Sequence, residues 1–452
     1  MPRTSAWGVS GGGRVRRALV LAFAAAACAE PLSLETFEAR VLAAEGWAGN
    51  DIAITSPGFG ATWLLPSAWL DDEPLAVHRI DDTTVAATLP PVSGSHTLTV
   101  RGIRIEPLVV PLTVYGYAGF DDGYPFIIGD VLVWPRTGHA SVLGVSSGGL
   151  ASIDLDTRVV TVFDSVFDPA RCWGGLRGPG VTPRDSVFVV LPIGSPSVES
   201  WRIGPTPVRL DVHPEHGIPR QLMQLGDDVW LRGGAHSLAI RWRTDSMQPY
   251  QEIGYLVEET EGVHLSPRKD RATVRVDHAA DGLPVFDVPS GDLAYRVDDL
   301  KVAAGVDFSA DGELLAVVGG TTWFESPTGR VVLLEASTGR VLQDTTLDLH
   351  VFAVAIDPVR PWLYVGATDP DSSRREADDR LLRFRPILVV LERSTFRVIA
   401  TLRGGPDAPW GCHYQCYKGV IALSDAPFAY VVWGWDPPAT IAWRFALPPP
   451  GT

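Results

Sequence analysis

Apolar residues recur in short runs along almost the whole chain beyond residue 45. Most runs are about four to eight residues long, alternate with polar residues or contain β-branched ones, and end at Gly, Pro, Asp or Ser. One such run is LLAVVGG, which starts at Leu314 after the turn Ser309-Ala310-Asp311-Gly312. Almost no segment shows the helical period of 3.6 residues. The pattern therefore predicts an all-β protein.

A strand–turn–strand unit recurs along residues 148–448. The clearest copy is GRVVLLEASTGRVLQD from Gly329, and an apolar strand precedes most copies. The other copies start at Gly148, Pro196, Ala235, Gly282, Pro386 and Ala439. Seven copies of a four-stranded unit, spaced roughly 40 to 57 residues apart, predict a seven-bladed β-propeller. A pair of β-sandwiches with accidental regularity is the alternative.

Three short motifs carry a resemblance to known propeller repeats. Ala310-Asp311-Gly312 resembles a first-to-second strand turn, Tyr364-Val365-Gly366-Ala367 a second strand, and Thr338-Gly339-Arg340 a hairpin. Together they resemble the repeats of the YVTN and tryptophan–aspartate (WD) propeller classes. The resemblance implies that residues 117–452 form the propeller.

The last copy lacks a fourth strand, because the chain ends shortly after ATIAWRFALP from Ala439. The segment before the first copy, residues 117–128, contains YPFII and has no other partner. We expect this segment to supply the missing outer strand and so to close the ring.

Residues 46–116 have a different rhythm, with about six short strands in seventy residues, which is typical of a small immunoglobulin-like β-sandwich. The turn Ser56-Pro57-Gly58-Phe59, a strand that ends at Pro90, and the strand from Gly94 to Val100 resemble the IPT/TIG family. Such domains are spacers or adhesion modules, and the resemblance implies no catalytic residue.

The N-terminal residues predict export. Arg14, Arg16 and Arg17 precede ALVLAFAAAA, an apolar run too short to span a bilayer as a stable helix, and small residues follow. We predict a signal peptide over residues 1–29 and a linker over 30–45. AAAC, which ends at Cys28, resembles a bacterial lipoprotein box, so Cys28 is a candidate lipidation site; cleavage after Ala27 or Ala29 without lipidation is the alternative. The expected location is the periplasm or cell surface.

The net charge of −15 argues against a nucleic-acid partner, because phosphate binding needs clustered Lys and Arg. Contact with a membrane is expected only through the possible lipid anchor. Neither a cofactor nor a metal is predicted.

CHYQC, from Cys412 to Cys416, is a weak zinc motif without a second ligand pair, and a disulfide that involves Cys412 or Cys416 is the preferred interpretation. Cys172 is the less favoured partner.

Aromatic and imidazole side chains concentrate in the predicted loops between blades and between second and third strands. Such side chains suit a ligand that stacks and forms hydrogen bonds. The candidate ligand-binding residues are Trp173, His213, Glu215, His216, His236, Trp323, Trp410, His413, Trp433 and Trp435. The alternative is structural, since Trp often fills blade interfaces and isolated His residues are often buried partners.

These features predict a binding or scaffold protein whose propeller recognises a protein, peptide or glycan. The alternative is a propeller enzyme, similar to lactonases or lyases, that acts on a small ester, lactone or sugar. The chain has no G-x-S-x-G, phosphate-loop or H-E-x-x-H motif, so no catalytic residue is assigned. A metal at the channel mouth would favour the enzyme.

Overall fold

The computed structural model describes residues 36–449, with gaps at 61, 125, 137–138, 147–148, 163–179, 182–186, 191–196, 203–207, 215–220, 226–227, 233–237, 244–248, 256–259, 269, 277–281, 301, 321–327, 370–381, 406–407, 411–417, 424–426 and 435–439. Within these residues the regular elements are 38 strands and the 3-10 turn Pro57–Phe59. The predicted all-β class is confirmed. No helix in the described part of the chain is long and apolar enough to cross a membrane.

The first eight strands form one sheet. They are β1 Arg40–Val41, β2 Glu45–Trp47, β3 Asp51–Thr55, β4 Ser67–Leu70, β5 Glu73–Arg79, β6 Thr84–Thr88, β7 Gly94–Gly102 and β8 Ile105–Tyr115. Their order is β1-β3-β6-β5-β4-β7-β8-β2, and β2 runs parallel to β8.

The remaining strands form seven four-stranded sheets and a two-stranded ribbon. Sheet 1 contains β10 Phe126–Arg136, β11 His139–Ser146, β12 Gly149–Asp154 and β13 Val160–Val162. Sheet 2 contains β14 Gly180–Val181, β15 Val187–Val190, β16 Ser197–Arg202 and β17 Val208–Pro214. Sheet 3 contains β18 Gln221–Leu225, β19 Asp228–Arg232, β20 Leu238–Arg243 and β21 Pro249–Tyr255. Sheet 4 contains β22 Thr260–Leu265, β23 Arg271–Val276, β24 Leu283–Asp287 and β25 Leu293–Val297.

Sheet 5 contains β26 Val302–Phe308, β27 Leu314–Gly320, β28 Gly329–Glu335 and β29 Val341–Leu347. Sheet 6 contains β30 His350–Ile356, β31 Trp362–Thr368, β33 Pro386–Glu392 and β34 Val398–Arg403. Sheet 7 contains β36 Lys418–Leu423, β37 Phe428–Gly434, β38 Thr440–Ala446 and, as its last member, β9 Tyr117–Tyr124. The ribbon pairs β32 Leu382–Phe384 with β35 Ala408–Trp410.

The seven sheets follow one another through their first strands. Contacts join the pairs β14 and β18, β18 and β22, β22 and β26, β26 and β30, β30 and β36, and β36 and β10. Sheets 2 to 7 and then sheet 1 are therefore joined in this order through their first strands.

The turn between the first two strands of sheet 5 shows why the repeat needs its polar residues. Gly312 has a φ of +70°, a conformation that costs glycine little, and its N–H donates to the Ser309 carbonyl at 2.8 Å. The Ser309 hydroxyl oxygen accepts the Leu314 N–H at 2.9 Å, and the Asp311 carboxylate accepts the Glu313 N–H at 3.0 Å. The backbone groups of this turn are thus satisfied locally.

The central strands of the sheets are continuous apolar runs because both of their faces are buried. On β27, Leu315 and Val317 pack into a cluster shared with sheet 4, whereas Ala316 and Val318 pack into a cluster shared with sheet 6. A strand buried on both faces has no polar side to alternate with. Face-to-face stacking of successive sheets therefore forms the hydrophobic core.

The predicted closing strand is confirmed for residues 117–124. β9 pairs antiparallel with β38, and Trp443 lies opposite Phe120 in the register. The rings of Tyr117 and Phe445 meet edge to face with centroids 6.2 Å apart. The prediction was wrong for Phe126 and the next two residues, because they form the start of β10 in sheet 1. β9 thus ends at Tyr124 in sheet 7, and β10 begins at Phe126 in sheet 1.

The chain forms two compact units. The smaller contains the described residues up to Leu42 together with Ala53–Ala87 and Leu98–Val110, and the larger contains Ala43–Ile52, Thr88–Thr97 and the chain from Pro111 onward. The domain limits 46–116 and 117–452 stay predictions. Within the larger unit, the Trp47 indole lies 5.6 Å from that of Trp362, and the Asn50 side-chain amide donates to the Ile399 carbonyl at 2.8 Å.

Candidate functional site at the loop end of sheets 5 to 7

The two ends of each four-stranded sheet carry different connections. The first and third strands start, and the second and fourth strands finish, at the end that we call the loop end; the opposite end is the turn end. In sheets 5 and 6 the turn-end connections are short, spanning residues 309–313, 336–340, 357–361 and 393–397. The loop-end connections span residues 321–328, 369–385 and 404–417, together with the two-residue link 348–349 between sheets 5 and 6. The long connections therefore gather at one end.

The turn end satisfies its own polar groups. The Thr338 hydroxyl donates to the Glu335 carboxylate at 2.5 Å, and the Thr395 hydroxyl donates to the Glu392 carboxylate at 2.6 Å. These hydrogen bonds lower the pKa of both glutamates, with further help from the neighbouring arginines. Such self-contained turns leave little chemistry for a ligand.

At the loop end, two connections are tied to each other. The connection between β31 and β33 contains β32, and the connection from sheet 6 to sheet 7 contains β35; the two strands pair antiparallel, with Leu382 opposite Trp410. The ribbon fixes the backbone that carries Trp410. A long loop with its own strand pairing is better preorganised for binding than a free loop.

His350 starts β30 and lies opposite Thr368 at the loop end of sheet 6. The imidazole is half-buried, and burial lowers its pKa. A neutral imidazole can both donate and accept a hydrogen bond. Beside it, the Thr368 hydroxyl donates to the Arg385 carbonyl at 3.1 Å, and Arg403 lies 3.3 Å from the Asp369 carboxylate.

The backbone places three of the predicted ligand-binding residues at the loop end. His213 is the next-to-last residue of β17, Trp410 ends β35, and Trp433 is the next-to-last residue of β37. The other seven lie outside the described residues, as do the candidate lipidation and disulfide cysteines: Trp173, Glu215, His216, His236, Trp323, His413, Trp435, Cys28, Cys412 and Cys416. The role of all ten ligand-binding candidates stays a prediction. Within the described part of the chain no three His, Cys, Asp or Glu side chains are grouped to hold a metal ion.

Sequence reasoning missed one titratable group on the first strand of sheet 5. The Asp307 carboxylate accepts the N–H of Ile356, on the first strand of sheet 6, at 2.7 Å. Desolvation raises the pKa of Asp307 to about 7, against the opposing effect of the Ile356 and Phe308 N–H groups. A polar residue inside the run Val306-Asp307-Phe308 was the available signal. Asp307 lies near the turn end, away from the loop-end residues.

Replacing Asp307 by Asn is expected to stabilise the protein above neutral pH. The folded state binds the Asp307 proton more tightly than the unfolded state, so wild-type stability falls as pH rises from about 4 to about 7. Asp307→Asn keeps an acceptor for the Ile356 N–H but cannot ionise. Its advantage over wild type should be near zero at pH 4 and about 2 to 4 kcal/mol at pH 8. Denaturant unfolding at both pH values tests this, and parallel pH profiles would contradict it.

Comparisons with known proteins give the fold. No protein-family model matches the chain, and no curated protein does either. A chain in the crystal structure of the mitotic checkpoint complex superposes with a TM-score of 0.54 and 12% sequence identity, over 73% of this chain and 91% of that one. The protein has a β-propeller fold. A chain of the hydrazine synthase of Kuenenia stuttgartiensis superposes with a TM-score of 0.49 and 16% identity, over 70% of this chain and 95% of that one.

Proposed function

We propose that this protein is an exported recognition module that binds a polypeptide at the loop end of its propeller. The observation that carries the proposal is the asymmetry of sheets 5 and 6. Long connections lie at the loop end, whereas the opposite end has short turns whose polar groups form hydrogen bonds with one another. Rigid scaffolds place binding residues on the loops that they hold in position.

The finer architecture belongs to the same proposal. The seven four-stranded sheets are the seven blades of one ring, and residues 46–116 form an immunoglobulin-like domain of the IPT/TIG type. The succession of first-strand contacts from β14 to β10 supports the ring, and the pairing of β9 with β38 supports its closure. A closed ring holds the loop ends of all its blades on one face.

Export and anchoring rest on the sequence. The N-terminal segment is a lipoprotein-type signal peptide that is cleaved before Cys28, and Cys28 is the lipidated residue that anchors the mature protein to the membrane at the periplasmic side or the cell surface. The basic residues before the apolar run and the AAAC sequence support this.

The chemistry of the loop end suits a peptide. Trp410 and Trp433 lie at this end of their strands, and indole is a side chain suited to stacking; the His350 imidazole offers a donor and an acceptor. A solved neighbour of the same fold is a component of a protein complex, which favours a polypeptide over a glycan. The rival enzyme of the lactonase or lyase class would need reacting groups at the channel mouth.

A random peptide library displayed on phage tests the proposal with the full chain as bait. We expect enriched peptides whose affinity falls at least tenfold for Trp410→Ala/Trp433→Ala, because aromatic anchors dominate such interfaces. The matched control is Arg340→Ala/Arg397→Ala, which changes exposed side chains at the turn end and should bind as wild type does. Peptides that bind both variants equally would contradict the proposal. A glycan array signal that depends on the two tryptophans, or metal-dependent ester hydrolysis, would replace it with a rival function.

A further inference from the structure

The smaller unit carries an exposed apolar loop. Trp63 is 87% exposed, and the next two residues, Leu64 and Leu65, are 39% and 44% exposed. Scattered exposed apolar residues are common, but three consecutive ones that include a nearly fully exposed Trp are unusual for a surface that meets only water. We therefore expect another molecule to cover this loop.

Two further exposed apolar residues belong to connections beside the loop. Ile80, 58% exposed, follows Arg79, whose guanidinium donates to the Thr62 carbonyl at 2.9 Å. Ile103, 53% exposed, follows Gly102, where an added Cβ would lie 3.4 Å from the Pro66 side chain. We call the five exposed residues the apolar tip: Trp63, Leu64, Leu65, Ile80 and Ile103.

Hydrogen bonds hold the backbone next to the tip. Arg79 also donates to the Phe59 carbonyl at 2.9 Å, and the Leu64 N–H donates to the Thr62 hydroxyl at 3.1 Å. The backbone that leads into the apolar residues is thus held at Phe59 and Thr62, and the apolar side chains stay outside the core. A preorganised apolar surface needs little ordering when it meets a partner.

The chain enters the smaller unit at the same end as the tip. The Phe37 N–H donates to the Arg104 carbonyl at 2.9 Å, next to Ile103, and Phe37 forms a bridge with Ile105. Cys28 lies nine residues before Phe37. Even a fully extended segment of that length spans roughly 30 Å, about the width of a small domain. An anchor at Cys28 would keep this end of the smaller unit within roughly 30 Å of the bilayer.

We propose that the apolar tip inserts into the surface of a lipid bilayer and orients the smaller unit on it. This orientation rests on the proposed anchor at Cys28, whereas insertion rests on the tip itself. Trp is favoured at the boundary between headgroups and acyl chains, and Leu and Ile are favoured just below it. The charges beside the tip nearly balance, with Arg79, Arg101 and Arg104 against Asp81 and Asp82. Insertion should therefore depend weakly on salt and on anionic lipid.

Vesicle flotation of the exported, unlipidated protein tests insertion. The protein is made as the full chain with Cys28→Ser, and the vesicles contain phosphatidylcholine with or without phosphatidylglycerol. We expect it to float with both kinds of vesicle, and Trp63→Ser/Leu64→Ser/Leu65→Ser to reduce the partition coefficient at least tenfold. The matched control replaces three exposed apolar residues of the larger unit, Val159, Leu293 and Val359, by Ser and should float as the parent does.

Each other outcome overturns the proposal. Flotation of the triple variant equal to that of its parent, or no flotation of either, would exclude insertion. Self-association in the absence of vesicles that the triple variant abolishes would assign the tip to a second copy of the chain. The lipid anchor is tested in a separate experiment. If wild-type Cys28 takes up no fatty-acid label, the anchor is excluded, and the flotation result for the Cys28→Ser protein is unchanged. Brominated lipids give a second readout, since they should quench Trp fluorescence less in Trp63→Phe than in its parent.

Discussion

Two prolines in β9, Phe120→Pro/Asp121→Pro, are expected to lower the melting temperature of the full chain by about 10 °C or more and to cause aggregation. β9 supplies the outer strand of sheet 7 from the other end of the chain, and adjacent substitutions must remove at least one N–H that pairs with β38. Loss of this pairing would expose the edge of β38 and uncover Trp443 and Phe445, which are fully buried. Differential scanning calorimetry and light scattering measure the two effects.

The matched control places two prolines in the outer strand of sheet 5, Thr345→Pro/Thr346→Pro. That strand follows its neighbour β28 through a short turn, so its loss damages one sheet without opening the array. We expect a clearly smaller drop in melting temperature and no aggregation. Equal effects of the two variants would show that β9 contributes no more than any other outer strand.

Replacement of Arg360 by Met is expected to cost about 3 to 5 kcal/mol of stability. Arg360 lies 2.9 Å from the Asp357 carboxylate, whose side chain is fully buried, and donates two hydrogen bonds to the Pro448 carbonyl at 3.0 and 2.6 Å. The Tyr364 hydroxyl donates to Asp357 at 2.7 Å, and burial, with the nearby carboxylate, raises the pKa of Tyr364 so that it stays protonated. Met fills similar space but leaves the Asp357 charge buried without its ion-pair partner.

Arg340→Met is the control for the loss of charge at position 360. Arg340 makes an exposed contact of 3.5 Å with Glu335, and such pairs contribute little to stability. Urea unfolding should separate the two variants by several kcal/mol, and the double variant Asp357→Asn/Arg360→Met should recover part of the loss. A single-variant effect at Arg360 as small as that at Arg340 would contradict the proposed role of the buried pair.

Local and repeated features of the fold could be predicted from the sequence. The turn at Ser309 is encoded by neighbouring residues, since Gly312 takes the positive φ and Ser309 and Asp311 accept the free N–H groups. The closing strand could be predicted by counting, because the last repeat has too few strands. The residue at which this strand ends could not be predicted, because the apolar pattern continues across Phe126, which pairs with Ser146 in sheet 1.

Contacts between distant residues could not be predicted in this way. Arg360 and Pro448 are 88 residues apart, and neither residue type indicates the other as its partner. The candidate site could be predicted only in part from the sequence. The pattern of loops indicated the end at which His213, Trp410 and Trp433 lie, but the pairing of β32 with β35 depends on two loops meeting in space. Likewise, the hydrogen bonds from Arg79 to the loop before Trp63 join residues about twenty positions apart, and no local pattern shows them.

The most direct test of the proposed ring closure by β9 is a disulfide between β9 and β38 in Asp121→Cys/Ala442→Cys. These residues are opposite each other in the β9–β38 register. Opposite residues of an antiparallel pair have Cα atoms about 4.5 to 5.5 Å apart, a separation that a disulfide can bridge. We predict that the bond forms in air within one chain, is found by non-reducing peptide mapping, and stabilises the protein by about 4 kcal/mol, because it closes most of the chain into a loop. The pair Asp121→Cys/Ala239→Cys, with its second cysteine in sheet 3, should not cross-link. Absence of the first bond, or its formation only between chains, would contradict closure of the propeller by β9.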